Sequence, residues 1–215
     1  MLATGVYAKT HGLSLSSGIP EERMRAVNGC KRNIDYAASM GCGIIIGFLK
    51  GGPGSDREVS ERLFLESMLE LKPYIEEKKV QVLIEATNHK EASIIRTLKE
   101  GAHVINFLDC PFIQLLADTY HMNIEEPSLV DSLSEYMNYY PHLHISDDNR
   151  AYPGLGSLDF TAIYRKLMEC GYKGTVAVEG NIQHGLLEDT QICAAYLHKV
   201  CSGLHTPSRV PSHAV

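Results

Sequence analysis

The sequence predicts an α/β protein built on a parallel sheet, and three observations lead there. Six short apolar runs alternate with six longer segments of helical character, the pattern of strands joined by helical crossovers. At 215 residues and 44% hydrophobic content, one domain with a sizeable core is the expectation. The last four of the runs carry a good metal ligand at or near their C-terminal tip, where parallel α/β proteins build chemistry. Two architectures accommodate this pattern. One is an open, doubly wound sheet. The other is a (β/α)8 barrel, but a barrel needs eight units and typically about 250 residues. This chain is two units short, so either the sheet is open or the chain begins part-way round a barrel.

The elements follow in order. LATGVY (2–7) reads as a short strand. After the polar turn SLSSG, Pro20 suits the first turn of a helix running to about Met40 and stopped by Gly41. GIIIGF (43–48) is a buried type of strand, and KGGPGS after it is a loop. Over 57–78, Leu63, Leu65, Met68, Leu69 and Leu71 recur at roughly helical period. VQVLIE (80–85) is a strand, and Thr97 with Glu100 forms a T-x-x-E capping pattern opening a helix to about Asp109. FIQLLA (112–117) is a strand, 128–140 a helix and HLHIS (142–146) a strand. Asp159 opens a helix over 159–171, TVAVE (175–179) is the last strand, and a helix over 187–201 closes the domain. The domain is thus expected over 1–201, with 202–215, rich in proline and poor in apolar residues, a flexible tail.

A formal charge of −6 with no lysine or arginine run disfavours a nucleic-acid surface. No apolar run approaches the roughly 20 residues a membrane helix needs, and MLATGVYAKT lacks the regions of a signal peptide. Six cysteines without a CxxC pair, mostly in apolar stretches, read as buried reduced thiols of a cytoplasmic protein. The GLG of 154–156 is too short for a dinucleotide fingerprint, and neither a phosphate-cradling loop nor a G-x-S-x-G elbow is present.

The ligand-bearing strand ends are Glu85 after VQVLI, Asp118 after FIQLLA, His144 within HLHIS and Glu179 after TVAV. Taken singly, each has a plain explanation: a helix cap, a surface ion pair or a hydrogen-bonded core histidine. Jointly, three carboxylates and an imidazole at strand tips repel one another unless a cation sits among them. An oxygen and nitrogen set without thiolate suits Mn²⁺, Mg²⁺ or Co²⁺ better than a structural zinc site. Asn88 and Glu91 follow Glu85 in one loop, His121 lies three residues after Asp118, and Arg150 ends the loop SDDNR. Arg150 reads either as a partner of Asp147 or Asp148 or as a fixed donor fork for substrate oxygens.

ADTYHMNIEE (117–126), HLHISDDNR (142–150) followed by PGLGSLDF (153–160), and VEG (178–180) resemble the sugar isomerase/epimerase group of xylose-isomerase-like barrels. DTYHMNIEE is most similar to ketose 3-epimerases of the tagatose/psicose type. The resemblance runs from residue 1 to about 200, and ATGVYAKTHGLSLSS resembles the third strand and following loop of these proteins. It implies a (β/α)8 TIM-barrel type fold, N-terminally incomplete, with about six of the eight units present and the first two before Met1.

It further implies that Glu85, Asp118, His144 and Glu179 hold one divalent ion, Mn²⁺ first and Co²⁺ or Mg²⁺ next. Glu85 and Glu179 would double as the acid/base pair, inverting C3 of a free or phosphorylated ketose through a cis-enediolate. Glu91, His121 and Arg150 would bind the sugar's oxygens. A homo-oligomer, dimer or tetramer, is the implied assembly. Two departures stand out: FLKGGPGS does not match the aromatic-bearing loop expected of free-ketose epimerases, and GNIQH follows Glu179 where related enzymes often have a proline and an aromatic. An aldose–ketose isomerase on the same barrel and an inactive truncated paralogue are the alternative readings.

Overall fold

In a computed structural model, residues 1–204 are described. Six parallel strands lie in chain order: β1 (Leu2–Ala3), β2 (Ile44–Ile46), β3 (Val82–Glu85), β4 (Ile113–Asp118), β5 (His142–Ile145) and β6 (Thr175–Val178). Each pairs with its neighbours in sequence, so β1 and β6 are the sheet's edges. Helices α1 (Gly5–His11), α2 (Pro20–Ser39), α3 (Arg57–Lys78), α4 (Leu98–Leu108), α5 (Thr119–Glu125), α6 (Leu129–Glu135), α7 (Phe160–Glu169) and α8 (Leu186–Leu204) fill the connections. This is six β/α units of an incomplete (β/α)8 barrel, curled into a half-barrel as expected.

The strand period of two divides the sheet into a face against the helices and a concave face. Ile44, Ile46, Val82, Ile84, Ile113, Leu115, Leu143 and Ile145 join one large buried cluster with Ile34, Phe64, Leu71, Leu98 and Phe160 from the helices. Ile45, Leu83 and Leu116, one step out of phase, form a separate small cluster on the opposite face. The register carries that phase upward: Leu116 pairs with His142 and Asp118 with His144, so the ligand types of β4 and β5 stand on the concave side.

Local chemistry fixes the helix ends. Pro20 occupies the first turn of α2 with Glu21 and Glu22 beside it, favourable against the helix dipole. Asp56 caps α3 by accepting from the Val59 amide, and Asp159 caps α7 through the Ala162 amide. Thr97 caps α4 as its motif foretold, but Glu100 reaches back to the Arg96 amide, one residue earlier than the usual box.

Several expectations need correction. The strand expected over 2–7 ends at Ala3: the Thr4 amide makes the last bond toward β2, to the Ile45 carbonyl, and the Thr4 carbonyl accepts from the Ala8 amide as α1 begins at Gly5. From Gly5 onward the segment is helical, with Ala8 buried and Val6 facing solvent. The expected helix over 128–140 closes at Glu135 and continues as a 3-10 turn over Met137–Tyr139. Helix α5 was not anticipated. The last helix extends to Leu204, so the tail expected from 202 begins inside it. The rest of that tail lies outside the described residues.

Candidate metal centre

Glu85, Asp118, His144 and Glu179 each offer one ligand atom, and all four atoms lie within 4.8 Å of one another. They come from the C-terminal ends of β3, β4, β5 and β6. His144 Nδ1 faces the group, 3.0 Å from Glu179 Oε2, 3.7 Å from Glu85 Oε1 and 3.9 Å from Asp118 Oδ2. Asp118 divides its carboxylate. Oδ1 caps α5 by accepting from the Tyr120 and His121 amides, which leaves Oδ2 for the cluster. Glu85 Oε1 is buried with no hydrogen-bond partner, an arrangement that costs free energy unless a further positive group meets it.

Arg150 is the guanidinium fork here. Nη1 donates to Asp118 Oδ2 at 2.7 Å and Nη2 to Glu179 Oε2 at 2.5 Å, so its partners are these carboxylates and not Asp147 or Asp148. Its backbone is left-handed, at φ 63°, which costs a non-glycine residue about 1 kcal/mol. The loop that imposes this is organised by Asp147, which is buried. Its carboxylate accepts from the backbone amides of Asp148, Gly154, Gly156 and Leu158. The Tyr120 ring stacks on the guanidinium, 5.0 Å from ring centroid to Cζ.

Crowding like charges in a buried place moves their protonation. Burial pushes the Asp118 carboxyl up to about 7, against the pull of Arg150. The hydrogen bond from His144 holds Glu179 down at about 2. Burial alone would lower His144, but its hydrogen bond to Glu179 and the nearby Glu85 carboxylate outweigh that and raise it to about 9. A ligand imidazole must give up that proton, so metal uptake here releases one. His121 is different: burial lowers it to about 4. Its Nδ1 accepts from the Asn88 amide at 3.2 Å, which assigns the ring proton to Nε2.

Glu91, His121 and Arg150 line one cavity with Glu85 and Glu179, about 270 Å³ in volume, with Phe48 on its wall. All seven residues singled out in the sequence therefore meet in one place: four in the cluster and three around the cavity beside it. A larger hollow of about 420 Å³ lies on the outer helices, among Glu58, Arg62 and Phe107, away from the strand ends.

Sequence reasoning missed Lys50, Asp147 and Tyr120. Lys50 is fully buried, and its ammonium donates to the Glu85 carbonyl at 2.9 Å and to Thr87 Oγ1 at 2.5 Å. Burial lowers it to about 8, with Glu85 and Glu91 opposing. The one signal available was a lysine set between Leu49 and a Gly-Gly pair at the end of an apolar run.

Comparison with known proteins gives a consistent answer. The family model for the xylose isomerase-like TIM barrel matches residues 2–194. The 3-dehydro-D-guloside 4-epimerase of Escherichia coli K12 is 37% identical over 102 residues, covering 47% of this chain and 39% of that protein. The D-psicose 3-epimerase of Enterocloster bolteae is 27% identical over 191 residues, 86% of this chain and 64% of that protein. The apo crystal structure of the 3-keto-D-glucoside 4-epimerase of E. coli superposes with a TM-score of 0.77 at 25% identity, covering 88% of this chain and 75% of that one. The chain thus spans between about two fifths and two thirds of the length of these two curated relatives.

Proposed function

The chain belongs to the xylose isomerase-like TIM barrel family, and on that premise we propose that it is a metal-dependent carbohydrate epimerase. The reaction proposed is inversion of a carbinol carbon beside a ketone, with C3 of a free or phosphorylated ketose as the first assignment. The convergence of Glu85, Asp118, His144 and Glu179 within 4.8 Å carries this reading.

The donor set fits a divalent cation. Three carboxylates and one imidazole nitrogen converge, no thiolate is among them, and the buried Glu85 Oε1 is without a hydrogen bond. Mn²⁺ is assigned first, Co²⁺ or Mg²⁺ next. Such an ion supplies Lewis acidity toward the substrate's carbonyl oxygen.

The chain's own residues supply the rest. Inversion needs one base to take the proton from carbon and one acid to return a proton to the opposite face, by way of a cis-enediolate of the sugar. Glu85 and Glu179 take these roles. They reach the cavity from β3 and β6, separated by two intervening strands, and so approach a bound sugar from different directions. A positioned acid/base group is worth roughly 10²–10⁴-fold in rate. His121, neutral at pH 7 with its proton on Nε2, donates to a developing oxyanion without losing charge to solvent. Arg150 offers its remaining N–H groups to substrate oxygens, and Glu91 accepts from hydroxyls.

A second reading shares this chemistry: inversion at C4 of a 3-keto glycoside, whose reacting carbon also neighbours a ketone. The 37% identity to the E. coli 4-epimerase favours it over the aldose–ketose isomerase alternative. One experiment separates all of these. Mn²⁺-supplemented protein is incubated in D₂O with free ketoses, ketose phosphates and 3-keto glycosides, and the products are read by NMR. Deuterium at C3 of a ketose is the expected result. Deuterium at C4 of a 3-keto glycoside selects the second reading, and at C1 or C2 an isomerase. No exchange in any sugar by metal-loaded protein rejects the epimerase.

A further inference from the structure

Glu85 is the cluster's odd member. Asp118, His144 and Glu179 are each tied by a side-chain hydrogen bond to a group of the site, whereas Glu85 Oε1 has none. Something else must aim it, and the turn that follows β2 touches it twice. Gly47 lies directly beneath its carboxylate: a β-carbon built on Gly47 would overlap Glu85 Oε2. Lys50, in the 3-10 turn Phe48–Lys50, sends its ammonium to the Glu85 carbonyl at 2.9 Å and to the Thr87 hydroxyl. It thereby clamps the end of β3 on both sides of Ala86.

A fully buried lysine is expensive to maintain, because its charge loses water and gains two neutral acceptors in return. A methionine of similar length would fill the same space without that cost. Lys50 contributes nothing to the large apolar cluster that a longer aliphatic residue would not. Its expense is explained if the geometry at Glu85 requires a donor with two fixed acceptors.

We infer that the turn after β2 sets the direction of the Glu85 carboxylate, Gly47 by leaving room beneath it and Lys50 by fixing the strand end that carries it. Lys50 is then a positioning residue, acting through Glu85 and not on substrate. The inference rests on the proposed function only in taking Glu85 as a ligand. Groups that orient ligands in this way are typically worth 10- to 100-fold in metal affinity.

Gly47 makes the idea testable without unfolding the protein. The atom a new β-carbon meets is the far end of a flexible side chain, so Gly47→Ala is accommodated by turning the carboxylate aside. The experiment compares wild type, Gly47→Ala, Lys50→Met and Thr87→Val in two ways. Mn²⁺ affinity is titrated by the EPR signal of the free ion, and the apo crystal structure of each is determined. Gly47→Ala and Lys50→Met are expected to weaken Mn²⁺ about 10- to 100-fold with the Glu85 carboxylate displaced. Thr87→Val, which removes one acceptor of the ammonium, is expected to weaken it less, and it decides the Lys50 half if Lys50→Met fails to fold. Folded variants with Mn²⁺ affinity within twofold of wild type, and Glu85 within about 0.5 Å of its place, overturn the inference. If wild type itself takes up no Mn²⁺, the metal reading fails. The crystal structures then still decide whether this turn aims Glu85.

Discussion

The same six strands present two faces that differ in kind. Toward the helices, Ile44, Ile46, Val82, Ile84, Leu115, Leu143 and Ile145 sit in one continuous apolar cluster, where burial of each adds roughly 1.5–3 kcal/mol. On the concave side the apolar cluster is only Ile45, Leu83 and Leu116, and above it stand three carboxylates, an imidazole and a guanidinium. The first face holds the fold and needs no particular chemistry. The second gathers groups that repel and dehydrate one another, which the first must offset. Stability and activity should therefore separate by face.

The sharpest way to break that separation is Glu85→Gln or Glu179→Gln. Each is expected to lower epimerisation by at least about 10³-fold. For Glu85→Gln the melting temperature should hold or rise, since an unpaired charge leaves a crowded site, whereas Glu179→Gln gives up the bonds from His144 and Arg150 and should lower it modestly. Turnover retained in either variant, read by deuterium exchange, ends the assigned roles; a collapse in melting temperature ends the separation. Next comes Phe64→Ala on the helix side, buried in the large cluster. It should cost about 3–5 kcal/mol in urea denaturation while Mn²⁺ affinity of the folded fraction stays unchanged.

Asp56→Ala is a gentler probe of the same outer layer. Loss of the α3 cap should cost about 1 kcal/mol by denaturation, again without effect on the ion. The smallest effect concerns Asp189, which tethers the loop after β6 through the Gln183 and His184 amides and the His184 ring. Burial opposes its charge, but these partners hold its pKa below the ordinary value. A carboxyl lowered in the folded state stabilises it above the unfolded pKa near 4, and this contribution is lost as pH falls through the folded value. The stability gap between wild type and Asp189→Asn should thus be full at pH 7 and close below about pH 4. A gap independent of pH would assign the tether to shape and not to charge.

The strands and the four candidate ligands were legible because both signals are local. Singly, Glu85, Asp118 and Glu179 could each be a cap or a surface ion pair, as Asp118 in part is, but ligand types at four successive strand ends stood out together. Parallel order then brought them together. Helix α1 was not legible, since Leu2 to Tyr7 fits two periods equally over so few residues. The strand gives way where Thr4, still bonded to Ile45 41 positions away, accepts from the Ala8 amide. Lys50 and Asp147 were hidden for a related reason. A lysine in a glycine-rich loop and an aspartate in SDDNR look solvated in sequence. Their roles come from the Glu85 carbonyl, 35 residues off, and from loop amides up to 11 residues ahead. Arg150 was half legible: a donor fork was expected, but its bonds to Asp118 and Glu179, in place of Asp147 or Asp148, were not.

The ligands do not share equal mechanical support. Glu85, Asp118 and His144 rise from β3, β4 and β5, each strand bonded on both flanks, and their side chains are about nine-tenths enclosed or more. Glu179 follows β6, and 45% of its side chain is open to solvent. Three corners of the seat are held by packing, whereas the fourth is held by charged bonds from His144 and Arg150. Substitution of Arg150 should therefore release Glu179 before it disturbs the enclosed three, and quicken the exchange of a bound cation.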